Sequence, residues 1–343
     1  MMRFVRSSPA LLLSLVIACA GSRSNGGART DGAATPAASS TIGVARVQSD
    51  AVKMEPFVKS DLAHEFVRAT KDLPHVEPRT IYREKGTRHW FKDDKTGGTL
   101  EAVRIDEEAY YNTPQYGAIL AYARPFDLLA DAWRTSNGRK SLAGLKVLDF
   151  GYGAIGHLWS LAHLGAETVG VEVDPMLPIL YADVRDPKIV LVDGRYPADP
   201  GAKAKVGAGY DLFISKNTLK KGYVHPDQPT DPRMRIDLGM SDAEFLATLN
   251  AALKPGGWVM IYNICPAPAP PGKPFIPWSD GRSPFARADL EKAGFEVVAF
   301  DQDDTAAARI MGKILGWDVG DEKIDLEHDT FAMYTLFRKT PAK

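Results

Sequence analysis

The sequence predicts a doubly wound α/β fold on a seven-stranded sheet, preceded by a small mixed α/β cap. Three observations predict it. Apolar runs start at Lys146, Thr168, Ile189 and Tyr210, which are 22, 21 and 21 residues apart. That interval holds one strand, one crossover helix and two turns. The runs are continuous (Val147-Leu148, Val169-Gly170-Val171, Val190-Leu191-Val192, Leu212-Phe213-Ile214), as parallel strands covered on both faces require. Finally, the first run ends in a glycine-rich turn followed by an apolar helical face, the junction at which open α/β sheets place their ligands.

The chain before this region divides by composition. Met1 to Arg6 carries two arginines, and Ala10 to Ala18 is apolar apart from Ser14. Such a run is too short to span a bilayer, which needs about 20 residues, and it matches the centre of a secretory signal. Its end, Val16-Ile17-Ala18-Cys19, resembles the bacterial lipobox. That resemblance implies cleavage before Cys19, acylation of Cys19 and a lipid-anchored protein of the cell envelope; an ordinary signal peptide, or a misassigned leader on a cytoplasmic protein, stays open. From Ala20 to Thr41, 18 of 22 residues are Ala, Gly, Ser, Thr or Pro. This composition cannot bury enough apolar surface to offset its ordering entropy, so residues 20–50 read as a flexible linker.

Residues 51–140 read as the cap. Ser60 and the apolar positions Leu62, Phe66 and Val67 predict a short capped helix. Thr80 to Phe91 and Thr99 to Ile105 read as short strands around the turn Lys95-Thr96-Gly97-Gly98. Ile119, Tyr122, Ala123, Phe126, Leu129, Ala130 and Trp133 line one face of a helix bent or broken at Pro125. Residues 141–343 form the α/β domain. A fifth strand, Trp258 to Ile264, follows a helix from about Asp242 to Leu253, and strands Phe295 to Phe300 and Thr330 to Phe337 close the chain.

Composition excludes several functions. A formal net charge of −1 argues against a nucleic-acid-binding protein, which usually carries a basic excess. Two cysteines exclude a disulfide scaffold and a thiolate-rich zinc site, and no metal cluster is evident.

The glycine turn reads Asp149-Phe150-Gly151-Tyr152-Gly153-Ala154-Ile155-Gly156, and the second strand ends in Glu172-Val173-Asp174-Pro175. Glycines at this junction allow tight backbone geometry and close approach of a ligand, and a carboxylate about twenty residues later can accept ribose hydroxyls. The Gly151-x-Gly153-x-x-Gly156 spacing alone fits a dinucleotide, and with it a nicotinamide-dependent enzyme. Asp149 argues otherwise, since a negative charge beside the loop disfavours a pyrophosphate and suits a cationic ligand.

Together with Leu253-Lys254-Pro255-Gly256-Gly257 before the fifth strand and the helix Ala286 to Ala293 leading into Gly294-Phe295, these motifs make residues 145–339 resemble a class I S-adenosylmethionine-dependent methyltransferase. The resemblance implies an antiparallel last strand inserted beside the fifth. It implies that Gly151 and Gly153 cradle the methionine part of S-adenosylmethionine with Asp149 nearby, that Glu172 holds the ribose, that Asp193 and Gly194 bracket the adenine, and that Ser215 completes the site. One departure concerns the third glycine, which comes one residue late, with Ile155 in its usual place. Gly156 therefore suits helix packing as well as ligand contact.

Methyl transfer by direct displacement needs alignment of two reactants and, for some acceptors, removal of a proton. The loop Ser215 to Pro226, with Lys216, Asn217, Lys220, Lys221, Tyr223 and His225, follows the fourth strand and overhangs that site. Lys216, Asn217 and His225 are its candidate catalytic residues, for an anionic small-molecule or envelope acceptor. Tyr110, Tyr111 and Tyr116 are candidates for an aromatic lid or for packing. The loop Pro266 to Pro284, with seven prolines and Trp278, is a candidate substrate selector, and Cys265 reads as a buried thiol. A methyltransferase-like binding lipoprotein without catalysis is the alternative reading.

Overall fold

The computed structural model describes residues 43–94, 99–111, 115–136, 140–320 and 323–341. Residues 1–42, on which the readings of a secretory leader, of Cys19 as a lipid site and of most of the linker fall, lie outside the described residues. Among those described, no helix is long and apolar enough to cross a membrane.

Residues 44–50, read from composition as part of the linker at 20–50, are helical. Helix α1 (Val44–Met54) buries Val44, Val47, Ala51 and Met54 at helical spacing, and the Val44 N–H donates to Glu107 Oε2 at 2.8 Å. The small-residue bias of the preceding stretch masks this stripe. Helix α2 (Asp61–Ala69) starts as predicted, with the Ser60 hydroxyl accepting from the Ala63 N–H. Strands β1 (Arg79–Glu84), β2 (Trp90–Phe91) and β3 (Leu100–Ile105) form an antiparallel sheet in the order β2-β1-β3. The run Thr80 to Phe91 is thus two strands joined through a turn at Gly86 (φ +82°). Helix α3 (Glu107–Tyr111) and short 3-10 turns at Gln115–Gly117 and Ile119–Tyr122 lead into helix α4 (Ala123–Ser136). Pro125 lies in the first turn of α4 and does not break it, because N–H groups there have no intrahelical acceptor to lose.

The α/β domain runs through β4 (Lys146–Phe150), α5 (Gly156–His163), β5 (Glu167–Glu172), α6 (Leu177–Leu180), β6 (Ile189–Asp193), α7 (Pro200–Val206), β7 (Tyr210–Lys216), α8 (Lys221–Val224) and α9 (Asp242–Ala252). It continues with β8 (Leu253–Cys265), α10 (Arg287–Lys292), β9 (Phe295–Asp303), α11 (Thr305–Ile314), α12 (Leu326–Asp329) and β10 (Phe331–Lys339). The seven strands are ordered β6-β5-β4-β7-β8-β10-β9. β4 pairs in parallel with β5 and β7, and β10 runs antiparallel to both β8 and β9. This is the mostly parallel seven-stranded α/β sheet, antiparallel at its last strand, that the sequence predicts. The Lys254–Gly257 turn is a bulge inside β8: Tyr210 faces Leu253 and Leu212 already faces Trp258, with Gly256 at φ +74°.

Alternation along the strands explains the continuous apolar runs. Val147, Leu212, Ile214 and Met260 face one core with α1, α2, α4, α5 and α11. Leu148, Phe213, Val259 and Ile261 face the other, with α7, α9 and α10. The N-terminal elements therefore share a core with the sheet: Phe66 packs on Phe126 with ring centroids 4.9 Å apart, within the cluster that holds Leu158 and Leu161.

Candidate functional site

The carboxyl ends of β4 to β8 bring together most of the residues singled out by the sequence. Gly151 and Gly153 have φ of +77° and +57°, a left-handed backbone open to glycine without steric cost. A Cβ on Gly151 would overlap the Thr218 side chain, whose hydroxyl donates to the Gly151 carbonyl at 3.3 Å. The glycine turn is thereby pinned to the loop after β7. Gly156 has a different task. A Cβ there would run into Ile119 and Tyr111, so the late third glycine lets α5 seat against the N-terminal elements.

Glu172 ends β5 and faces Asp193, at the end of β6, in register. Its carboxylate accepts the Val173 N–H at 2.7 Å and backbone N–H groups of Gly153 and Asp174. Burial, aided by the charge of Asp174, overrides these bonds and pushes its carboxyl up to about 7. Asp193 is exposed. Gly194 donates its N–H to the Glu172 carbonyl at 3.0 Å, at φ +140°, with Asp199 and Ala202 where a side chain would stand. Two acids and a glycine turn thus meet at adjacent strand ends, as the spacing suggested. Ser215 is buried and its hydroxyl accepts the Leu219 N–H at 3.1 Å, shaping the following turn.

Asp149 lies in a cluster that the sequence did not reveal. It is fully buried, and its Oδ2 accepts from the Tyr122 hydroxyl at 3.2 Å and from His157 Nε2. Oδ1 has no hydrogen-bond partner. The Tyr122 ring stacks on His157 at 4.0 Å and 9°, and Lys216 Nζ sits 4.8 Å from the same ring's centroid. Burial and the Asp149 charge hold the Tyr122 phenol well above its ordinary pKa of 10. In the sequence Tyr122 belongs only to an apolar stripe, and no motif singles out His157. Their pairing with Asp149 depends on the 3-10 turn at Ile119–Tyr122 lying beside α5.

The candidate catalytic loop divides. Lys216 is buried and donates to the Tyr116 carbonyl at 2.7 Å. Asn217, at φ +65°, donates to that carbonyl at 3.2 Å and accepts the Ile264 N–H at 2.7 Å. Both are anchors between β7, β8 and the N-terminal elements. Lys220 is also turned inward, donating to the Ile264 carbonyl at 2.8 Å, while Lys221 pairs with Asp227. The basic overhang expected for an anionic acceptor is therefore mostly directed into backbone carbonyls. His225 is not gathered into this cluster: it binds Asp242, at the start of α9, at 2.9 Å on the surface.

Tyr110, Tyr111 and Tyr116 are buried and follow the packing reading. The Tyr111 hydroxyl donates to the Pro74 carbonyl at 2.6 Å, that of Tyr116 to the Asp329 carbonyl, and the Tyr110 ring meets Tyr181 edge-on at 5.0 Å. After β8, Phe275 and Ile276 are half-buried and Trp278 is exposed, tied back through its carbonyl to Lys220 at 3.4 Å. Cys265 is a buried free thiol, pushed upward in pKa by burial.

No family model and no curated protein sequence matches this chain. Among solved structures, it is similar to an S-adenosylmethionine-dependent methyltransferase from Mesorhizobium loti, with 16% identity, 58% of this chain and 92% of that one covered, and a TM-score of 0.34. A S-adenosylmethionine-dependent methyltransferase from Aquifex aeolicus gives 16% identity, coverage of 57% and 82%, and a TM-score of 0.32. A possible exported protein from Bordetella parapertussis gives 22% identity, coverage of 58% and 63%, and a TM-score of 0.31. At such scores the fold rests on the strand order and directions above.

Proposed function

We propose that this chain is an S-adenosylmethionine-dependent methyltransferase whose acceptor is a small molecule or a component of the cell envelope. The observation that carries the proposal is the meeting of Gly151, Gly153, Glu172 and Asp193 at neighbouring strand ends, with the buried Asp149 carboxylate beneath the turn. The residues present suit the ligand. A left-handed glycine turn admits close approach, Glu172 offers lone pairs for ribose hydroxyls, and the donor-free Oδ1 of Asp149 suits a cationic group. S-adenosylmethionine, when bound, supplies a methyl group on a positively charged sulfur.

The chain's own residues act by positioning. Glu172 and Asp193 fix the nucleoside, Thr218 holds the glycine turn, and Lys216 and Asn217 hold the Tyr116 segment against the end of β7. The half-buried Phe275 and exposed Trp278, which follow the carboxyl end of β8, support a role for the Pro266 to Pro284 loop in acceptor selection. Calorimetric titration of S-adenosylmethionine and S-adenosylhomocysteine into the wild type and Glu172→Ala tests the reading. Binding lost in the variant is expected; no binding to folded wild type refutes it.

A second reading, a binding protein of this fold without catalysis, is favoured by the engagement of Lys216 and Asn217 with Tyr116, which leaves neither as an evident base. Methyl release assayed with envelope extracts as acceptor separates the two. The lipobox-like Val16 to Cys19 supports attachment to the envelope through Cys19, and membrane fractionation of Cys19→Ala tests that.

A further inference from the structure

The cluster around Asp149 contains a device that methyl transfer itself does not require. The Asp149 carboxylate is fully buried, yet both hydrogen bonds it receives fall on Oδ2, from Tyr122 and His157. A carboxylate oxygen accepts hydrogen bonds, which makes His157 Nε2 and the Tyr122 hydroxyl the donors of this cluster. His157 is itself buried, fixed in the first turn of α5 and stacked on the Tyr122 ring at 4.0 Å. The two donors belong to one stacked pair of rings and therefore reach the carboxylate at the same oxygen. A buried carboxylate oxygen left without a donor is costly, and here the asymmetry is enforced by two packed rings.

We propose that His157 is a positioning residue, which with Tyr122 holds Asp149 by Oδ2 so that Oδ1 is kept for a donor carried by the ligand, namely the ammonium of the amino-acid end of an S-adenosyl compound. The inference rests on the function proposed above and adds to it the residue that orients the Asp149 carboxylate. Glu172 and Asp193 serve the nucleoside end, and the His157–Asp149–Tyr122 group serves the amino-acid end. Loss of His157 frees the carboxylate to rotate and offers Oδ1 no fixed direction. The amino-acid end then loses a charge-assisted hydrogen bond while the nucleoside end keeps its partners.

Two ligands separate this role from a structural one. S-adenosylhomocysteine and 5′-methylthioadenosine share the adenosine and an uncharged sulfur, and only the first carries the ammonium. Calorimetry with the full-length protein compares both in wild type, His157→Leu and His157→Gln. The expected result is a loss on the order of tenfold or more for S-adenosylhomocysteine in His157→Leu, with 5′-methylthioadenosine within about twofold of wild type. Recovery of most of the lost affinity in His157→Gln, which keeps an N–H donor, is also expected. Equal losses for both ligands, or no loss for either, overturn the inference. Wild-type binding of 5′-methylthioadenosine without any preference for S-adenosylhomocysteine overturns it while sparing the nucleoside site. Failure of folded wild type to bind either ligand refutes the proposed function, and the inference with it.

Discussion

Replacing Glu172 by Gln should stabilise the ligand-free protein at neutral and alkaline pH while weakening nucleoside binding. The folded state moves this carboxyl from its ordinary 4.5 up to about 7, chiefly by burial. Below about pH 4.5 both folded and unfolded chains hold the proton, and the group leaves stability unchanged. Between there and about pH 7 the unfolded chain ionises first, so stability falls as pH rises; above about pH 7 the loss is complete. At 1.36 kcal/mol for each pH unit of displacement, the loss reaches up to about 3 kcal/mol. Gln retains an oxygen for the Val173 and Gly153 N–H groups and has no charge to desolvate, so the variant escapes this loss. Urea unfolding from about pH 5 to pH 8.5 should show wild type and Glu172→Gln diverging with pH, the variant the more stable at the upper end. Parallel curves across that range would refute the reasoning. The same variant should bind S-adenosylhomocysteine at least about tenfold more weakly, because an amide accepts ribose hydroxyls less strongly than a carboxylate.

Three further outcomes are expected. Gly156→Ala puts a Cβ into Ile119 and Tyr111 and should cost about 1–3 kcal/mol of stability by denaturant titration, the usual penalty for overpacking. A chain starting at residue 51 loses the buried Val44 and Val47 and should be less stable by about 3 kcal/mol or more than one starting at residue 43, at 1.5 kcal/mol or more for each side chain. His225→Ala removes only a surface pair with Asp242, so thermal unfolding should register a change below about 1 kcal/mol and S-adenosylhomocysteine affinity should hold.

The sheet and its ligand edge were legible in the sequence because both follow from local chemistry. A strand buried on both faces is largely apolar on both, so β4, β5 and β7 stand out as runs; β6 carries a run as well, although as the edge strand it leaves Val190 exposed. A strand that turns sharply into a helix beside a ligand needs glycine, so Gly151 and Gly153 mark the junction. Glu172 and Asp193 follow from counting along the same repeat. Helix α1 was hidden by the small residues before it, although Val44, Val47, Ala51 and Met54 carry its spacing. Tertiary structure alone decided what each polar side chain of the site is bonded to. Asp149 is adjacent in sequence to neither Tyr122 nor His157, and the three meet only because the 3-10 turn before α4 packs beside α5. Lys216 and Asn217 look solvent-facing in a loop rich in lysine, yet they are drawn inward because the Tyr116 carbonyl, buried over the end of β7, needs donors. Spacing along the chain determines where a strand ends, whereas the partner of a buried polar group depends on which distant segment supplies its missing hydrogen bond.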